Sequence, residues 1–396
     1  MTSGRAVLAP DVVVVGGGIV GCSTAAFLAD AGARVVLVER DGLASGASGA
    51  NTGVVWHPLD PVMVGLYRET LALYRDLAGA VGSFWIGARP VGLLELSPSE
   101  SSVRAQAAAI GRCYPDLAPA VLDEAALREA EPGLAAGLWA CRMELGYPIV
   151  PSSSTYAYAT LAEARGTVVR AGRAAVLEMD GDRVTWIRVD GERIAAGAVV
   201  AAAGPWTPAL LDPTGRWAPI RSMWGVVVDV ELAVPLRHIV DEMGDDAASY
   251  TLATANGVPD RWSGDPSAPE PPDQAAVGTS ITPSPGITSV GATHHAREPD
   301  QAAWVEPVLV RASRLLPEIA EAPIRSVRAC ARPQSDDGRP LVGMVPGKRN
   351  LFVCAGHGAW GISTGPASAR MVADLVLGRS PEIPLELDPA RFGEPA

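Results

Sequence analysis

Long apolar stretches alternate with small, polar turns along this chain, and their lengths separate strands from helices. Val12–Val15 is an unbroken valine run, which fits a strand buried on both faces of a parallel sheet. Residues 19–31 are alanine-rich, apolar on most faces and stopped by Gly32, so they predict a helix. A second strand follows at 34–39 and ends in Glu39. Over 61–80, Leu66, Leu71, Leu73, Tyr74 and Leu77 recur at helical spacing. Residues 84–96 read as a strand pair or hairpin, and 101–110 and 123–130 as helices, together an α+β insertion.

A helix at 152–164 leads into a short strand at 168–170. The segments 176–179, 184–189 and 193–196 predict a small meander, with Asp-Gly turns between them. Residues 199–206 form a second buried strand that ends at Gly204, and a parallel strand returning here would meet a bound cofactor again. Strands at 226–232, 248–253, 276–282 and 288–293 suggest one antiparallel sheet. Between them, 256–273 is rich in Pro, Gly and Asp and too long for a hairpin turn, so it reads as a disordered insertion or a lid. A helix at 301–316, a strand at 350–355, a glycine turn at 356–361 and a helix at 362–377 complete the chain.

The first strand runs directly into Gly16, Gly18 and Gly21, the G-x-G-x-x-G spacing. Gly16 permits the tight turn and Gly18 admits a pyrophosphate to the backbone. Gly21 lets the helix that starts with Ile19 and Val20 pack close, aiming its amide-rich end at phosphate. Glu39 lies 18 residues beyond Gly21, where a carboxylate can hold ribose hydroxyls. Framed by strand, helix, strand and acid, the motif specifies a dinucleotide site. The small polar loop after it, with Ser45, Ser48, Asn51, Thr52 and Gly53, can lie flat against a ligand and donate amides and hydroxyls.

Composition narrows the function. With 396 residues, 48% of them hydrophobic, the chain can bury a large core, and its length suggests two domains. A net charge of −12 argues against nucleic acid, which needs a basic face. No run approaches the ~20 apolar residues that cross a bilayer, and the first apolar run lacks the basic flank of a signal peptide. Five cysteines without C-x-x-C spacing fit a reduced, cytoplasmic setting with no structural metal.

In order, these landmarks resemble the FAD-dependent D-amino-acid oxidase superfamily, which includes glycine oxidase, sarcosine oxidase and D-amino-acid dehydrogenase. The resemblance is carried by residues 12–40, 45–53, 199–211 with its A-A-G-x-W pattern, and 328–378 with Arg332-Pro333 and Gly356-His357-Gly358. It implies an α/β fold in which 1–55, 146–218 and 325–396 form a Rossmann-type FAD-binding domain. An α+β substrate domain of 56–145 and 219–324 then lays an antiparallel sheet over the flavin. It also implies oxidation of the C–N bond of an amino acid or N-alkyl amino acid, with O2 or another electron acceptor.

Carried over residue by residue, the cofactor contacts are the glycine turn with Ile19 and Val20, Glu39 and Arg40, and the 45–53 loop. They continue with Ala203, Gly204, Trp206, Cys330, Arg332, Gly356, Gly358, Gly361 and Ile362. Arg332 matches the position that clamps the substrate carboxylate, a task suited to a planar guanidinium fork. His357 and Trp360 complete the expected catalytic set, His357 most naturally as a structural hydrogen-bonder, and Trp56, Trp224 and Tyr250 are candidate pocket walls. Cys330 stands where sarcosine oxidase tethers its flavin, and an inert core thiol is the alternative there. Ala359 replaces an arginine of glycine oxidase, and Ser289 replaces the lysine with which sarcosine oxidase activates oxygen, which leaves an oxidase or a dehydrogenase open. Oxidation of a 2-hydroxy acid on the same fold, or a flavoprotein subunit needing a partner chain, are the rival activities.

Overall fold

A computed structural model describes residues 10–243 and 277–395. The predicted strand at 248–253, the 256–273 segment and Tyr250 lie outside the described residues. Two large sheets organise the rest.

The first sheet has six strands in the spatial order Leu341–Met344, Leu351–Ala355, Ala198–Ala201, Val12–Val15, Val35–Val38, Val168–Arg170. All pairs are parallel except the antiparallel edge strand Leu341–Met344. Alternation along the valine run explains its burial. Val12 and Val14 face a helical layer that includes Ile19–Asp30, Met63–Ala80, Ser153–Ala164 and Gly361–Val376. Val13 and Val15 face the meander Ala175–Asp180, Arg183–Val189 and Glu192–Ile194 through Val184, Ile187 and Val189. None of the four valines exceeds 7% exposure, so the run is buried on both sides. The meander turns at Asp190-Gly191 with positive φ at both residues, the conformation for which a two-residue hairpin selects such residues.

The second sheet has eight strands: Ile324–Ser335, Ile220–Val230, Ile287–Thr293, Val277–Ser284, Ile239–Glu242, Leu93–Ser97, Trp139–Met143 and Ala120–Leu122. It is antiparallel except at one joint, where Ile239–Glu242 runs parallel to Leu93–Ser97. The expected strands at 226–232, 276–282 and 288–293 do pair antiparallel, and the parallel joint lies outside them. The expected strand pair over 84–96 is corrected, because only Leu93–Ser97 forms a strand. Phe84 and Ile86 still enter the core, but Gly87, Pro90 and Gly92 break the pattern between them and Leu93.

Period-two alternation gives the second sheet two unlike faces. Val226, Val228, Val230 and Val290 pack against Trp304, Val308 and Ala312 of the helix Gln301–Ser313. Register places Met223, Gly225 and Asp229 on the opposite face, beside Arg332, Cys330 and Ser326 of the neighbouring strand. That polar face is turned toward the glycine turn and the 45–53 loop.

Candidate functional site

Each landmark of the glycine turn has a steric reason in the structure. Gly16 has φ +120°, and a Cβ there would lie 2.2 Å from the Ala202 carbonyl oxygen. A Cβ on Gly21 would lie 1.9 Å from the Gly16 carbonyl oxygen. These two contacts draw Val12–Val15, the helix Ile19–Asp30 and the end of Ala198–Ala201 together, with Ala203 beside Gly16. A Cβ on Gly18 would meet only the Ser48 side chain. The Ile19 amide donates to Ser48 Oγ at 2.9 Å, so the loop already reaches the open helix end. Glu39 accepts from the Gly17 amide at 2.5 Å and from the Asp41 amide at 2.8 Å, which fixes the acid at the lip of the turn.

The remaining expected cofactor residues gather around this turn. Asn51 closes the short helix Ala47–Ala50 by donating to the Ala47 and Ser48 carbonyls and accepting from the Gly53 amide. Arg40 stacks its guanidinium 4.5 Å from the centroid of the Trp206 ring, and that ring lies against Gly46. Gly204 turns with φ +57°. Ser45 is exposed, and the Thr52 methyl faces Gly291. These contacts bring together stretches more than 150 residues apart in sequence, and the resulting cradle fits a dinucleotide with an anionic centre.

The strand Ile324–Ser335 lies across that cradle. Arg328 donates through Nη2 to the Asn51 carbonyl at 2.9 Å, and Cys330 Sγ lies 3.9 Å from the Ala47 carbonyl. At the other end Gln334 forms an antiparallel bridge with His357, and its Oε1 crowds Gly358. Arg332 stands between Cys330 and Gln334 on the same face, half-buried. Its Nη1 donates to the Thr293 carbonyl at 3.3 Å, and it makes no ion pair with a carboxylate among the described residues. Arg328 contrasts with it, being paired with Asp229, which also accepts from Ser289 and Ser326.

At the far end His357 is buried, and its Nε2 has no hydrogen-bond partner among the described residues. Burial pulls its pKa down to about 3, so the ring is neutral near pH 7 and offers a hydrogen bond rather than a charge. It stands four residues before Gly361, the first residue of the helix Gly361–Val376, whose second residue is Ile362. The Trp56 amide donates to Ser363 Oγ, and the Tyr74 hydroxyl to the Ile362 carbonyl, which anchors this helix start. Trp360 is half-buried at the helix entry and Ala359 is exposed. Gly356 and Gly358 both turn with positive φ.

One expectation about the walls changes. Trp224 pairs in register with Ala331, so its side chain lies on the sheet face opposite Arg332. Gly225, Asp229, Thr293, Gln334 and Arg328 share the cradle-facing side, though the sequence alone did not mark them. A single acid inside Val226–Val230 and a glycine just before it are the two signals that point there.

The model of the FAD dependent oxidoreductase family matches residues 11–375. Glycine oxidase from Pseudomonas aeruginosa is 30% identical over 398 residues, covering 96% of this chain and 97% of that protein. D-amino acid dehydrogenase from Rhizorhabdus wittichii is 26% identical, covering 94% and 97%. The crystal structure of glycine oxidase from Geobacillus kaustophilus superposes with a TM-score of 0.78 at 25% identity, over 96% of this chain and 98% of that one. This chain belongs to the FAD dependent oxidoreductase family. Among the described residues no helix is long and apolar enough to cross a membrane.

Proposed function

We propose that this chain oxidises the C–N bond of an amino acid or N-alkyl amino acid to an imine, which water then hydrolyses. One observation supports the substrate class: Arg332 holds a guanidinium with no carboxylate partner among the described residues, on a strand pinned at both flanks to the cofactor cradle. FAD held by the glycine turn, Glu39 and the 45–53 loop would supply the two-electron acceptor chemistry that this oxidation needs, as a hydride acceptor. Arg332 grips the substrate carboxylate bidentately and so fixes which bond faces the ring. The neutral His357 hydrogen-bonds at the cofactor edge, and the amide end of Gly361–Val376 offers positive potential beside it. Trp56 and Trp360 flank the same helix start. In this arrangement 1–55, 146–218 and 325–396 carry the cofactor, and 56–145 and 219–324 carry the substrate, with Ile324–Ser335 shared between them. Relatives named glycine oxidase and D-amino acid dehydrogenase support the amino-acid class, while the electron acceptor follows from measuring peroxide against substrate consumed.

The test is an anaerobic screen of the purified holoprotein with amino acids, N-methyl amino acids and matched 2-hydroxy acids, reading loss of flavin absorbance. Bleaching by an amine-bearing substrate and not by its hydroxy analogue is the expected result. Bleaching by hydroxy acids alone would replace the C–N assignment, and no bleaching by any of them would point to a subunit that needs a partner.

We further propose that the flavin is held without a covalent bond. Burial raises the Cys330 thiol, although Arg332 and Arg328 partly offset the effect, so the thiolate needed to form a tether is disfavoured. Acid precipitation should therefore release all yellow colour to the supernatant, and a yellow pellet would assign the tether to Cys330.

A further inference from the structure

Gly225 occupies the middle of the strand Ile220–Val230, where a glycine weakens the sheet and needs a reason. Backbone conformation does not supply one, because Gly225 is absent from the positive-φ glycines and its neighbours continue as ordinary strand. Space does. A Cβ at this position would lie 2.5 Å from both Nη1 and Nη2 of Arg332 and 2.6 Å from the Thr293 carbonyl oxygen. The register puts Gly225 opposite Cys330 and Met223 opposite Arg332, so the guanidinium folds diagonally across its neighbour strand and rests on the bare glycine. Thr293 closes the seat. Its Oγ1 accepts from the Val226 amide at 2.9 Å, and its carbonyl accepts from Arg332 Nη1.

Resting on the carboxylate assignment above, we propose that Gly225 is a positioning residue for substrate recognition: its missing side chain is the seat that sets the height and direction of the Arg332 fork. A methyl group there would lift the guanidinium off the sheet and spoil its two parallel hydrogen bonds to a carboxylate. The contact of Gly225 with the guanidinium is the route by which it acts.

The test is a double-mutant cycle on holoprotein with Gly225→Ala, Arg332→Ala and the combination. It reads KM for the substrate found in the screen and the Kd of acetate from perturbation of the flavin spectrum. Gly225→Ala should raise both constants by roughly 10- to 100-fold, the scale of an ångström-sized misplacement, with kcat held within about threefold and FAD retained. On the Arg332→Ala background the same substitution should change KM and the acetate Kd by less than about twofold, because there is no longer a fork to displace. Wild-type constants in Gly225→Ala, or the full loss repeated on the Arg332→Ala background, would overturn the inference. If Gly225→Ala fails to fold, recovery of a folded, flavin-loaded protein in the double variant supports the clash with Arg332. Failure of both variants would place the cost at the Thr293 carbonyl and overturn it. Unchanged constants in Arg332→Ala alone would instead refute the carboxylate assignment itself.

Discussion

Arg332→Ala should raise KM for a carboxylate substrate by roughly 30- to several-thousand-fold while leaving kcat at saturation within about tenfold of wild type. The range follows from the loss of one partner in a desolvated charge pair, about 2–5 kcal/mol, at 1.4 kcal/mol per decade. The effect falls on KM because the guanidinium grips a part of the substrate that does not react, so ground and transition states lose it together. Arg332→Lys should recover only part of the loss, since an ammonium cannot reproduce two parallel donors. Steady-state kinetics on the three proteins, with a matched amine lacking the carboxylate as control, decides the matter. The control should be handled equally by all three, and an unchanged KM in Arg332→Ala removes this residue from the substrate.

The second large effect is expected at the glycine turn. Gly21→Ala introduces a methyl group 1.9 Å from the Gly16 carbonyl oxygen, and both sides of that contact are backbone. The helix Ile19–Asp30 must therefore back away from Val12–Val15, and overpacking of this kind costs about 1–3 kcal/mol. The same displacement moves the Ile19 amide and Ser48 out of their alignment, so the open helix end no longer meets a pyrophosphate correctly. The variant should purify largely colourless, melt lower than wild type and bind added FAD at least about tenfold more weakly. Gly42→Ala is the matched control, because no atom lies within 4 Å of a Cβ there. Full flavin occupancy in Gly21→Ala would show that the helix end is not where the phosphates rest.

The cradle was legible in the sequence because its signals are local and stereochemical. A valine run, three glycines at fixed spacing and an acid after the second strand each constrain backbone or packing within some thirty residues. The crossing strand Ile324–Ser335 was not legible as a strand. Arg328, Cys330, Arg332 and Gln334 point one way and Val327, Ala329, Ala331 and Pro333 the other, but half of that apolar side is alanine, a poor strand former, and Pro333 lacks a ladder donor, so the alternation does not read as a strand. Its partner, Ile220–Val230, lies about a hundred residues earlier, and no nearby turn sets the register. Trp224 shows how sharp this dependence is. One step along the strand separates the cradle-facing side from the helix-facing side, and composition cannot tell which a tryptophan takes. The parallel joint between Leu93–Ser97 and Ile239–Glu242 likewise depends on the path of the intervening chain, which no short pattern encodes. The helix expected at 123–130 begins at Glu124, with Asp123 as its cap accepting from the Ala126 amide, a contact worth about 1 kcal/mol.

Because one extended backbone bears Cys330, Arg332 and Gln334 on successive same-side positions, the proposed acid grip would stand at a distance from the cofactor set by the pleat, about 6.6 Å per pair of residues. It works as a fixed ruler. New substrates can be accommodated by reshaping what stands opposite the ruler, whereas gaining or losing a single residue within it would turn the arginine to the wrong side. Diversity among enzymes built this way should therefore accumulate on the strands and loops facing Ile324–Ser335, with the length of that segment held constant.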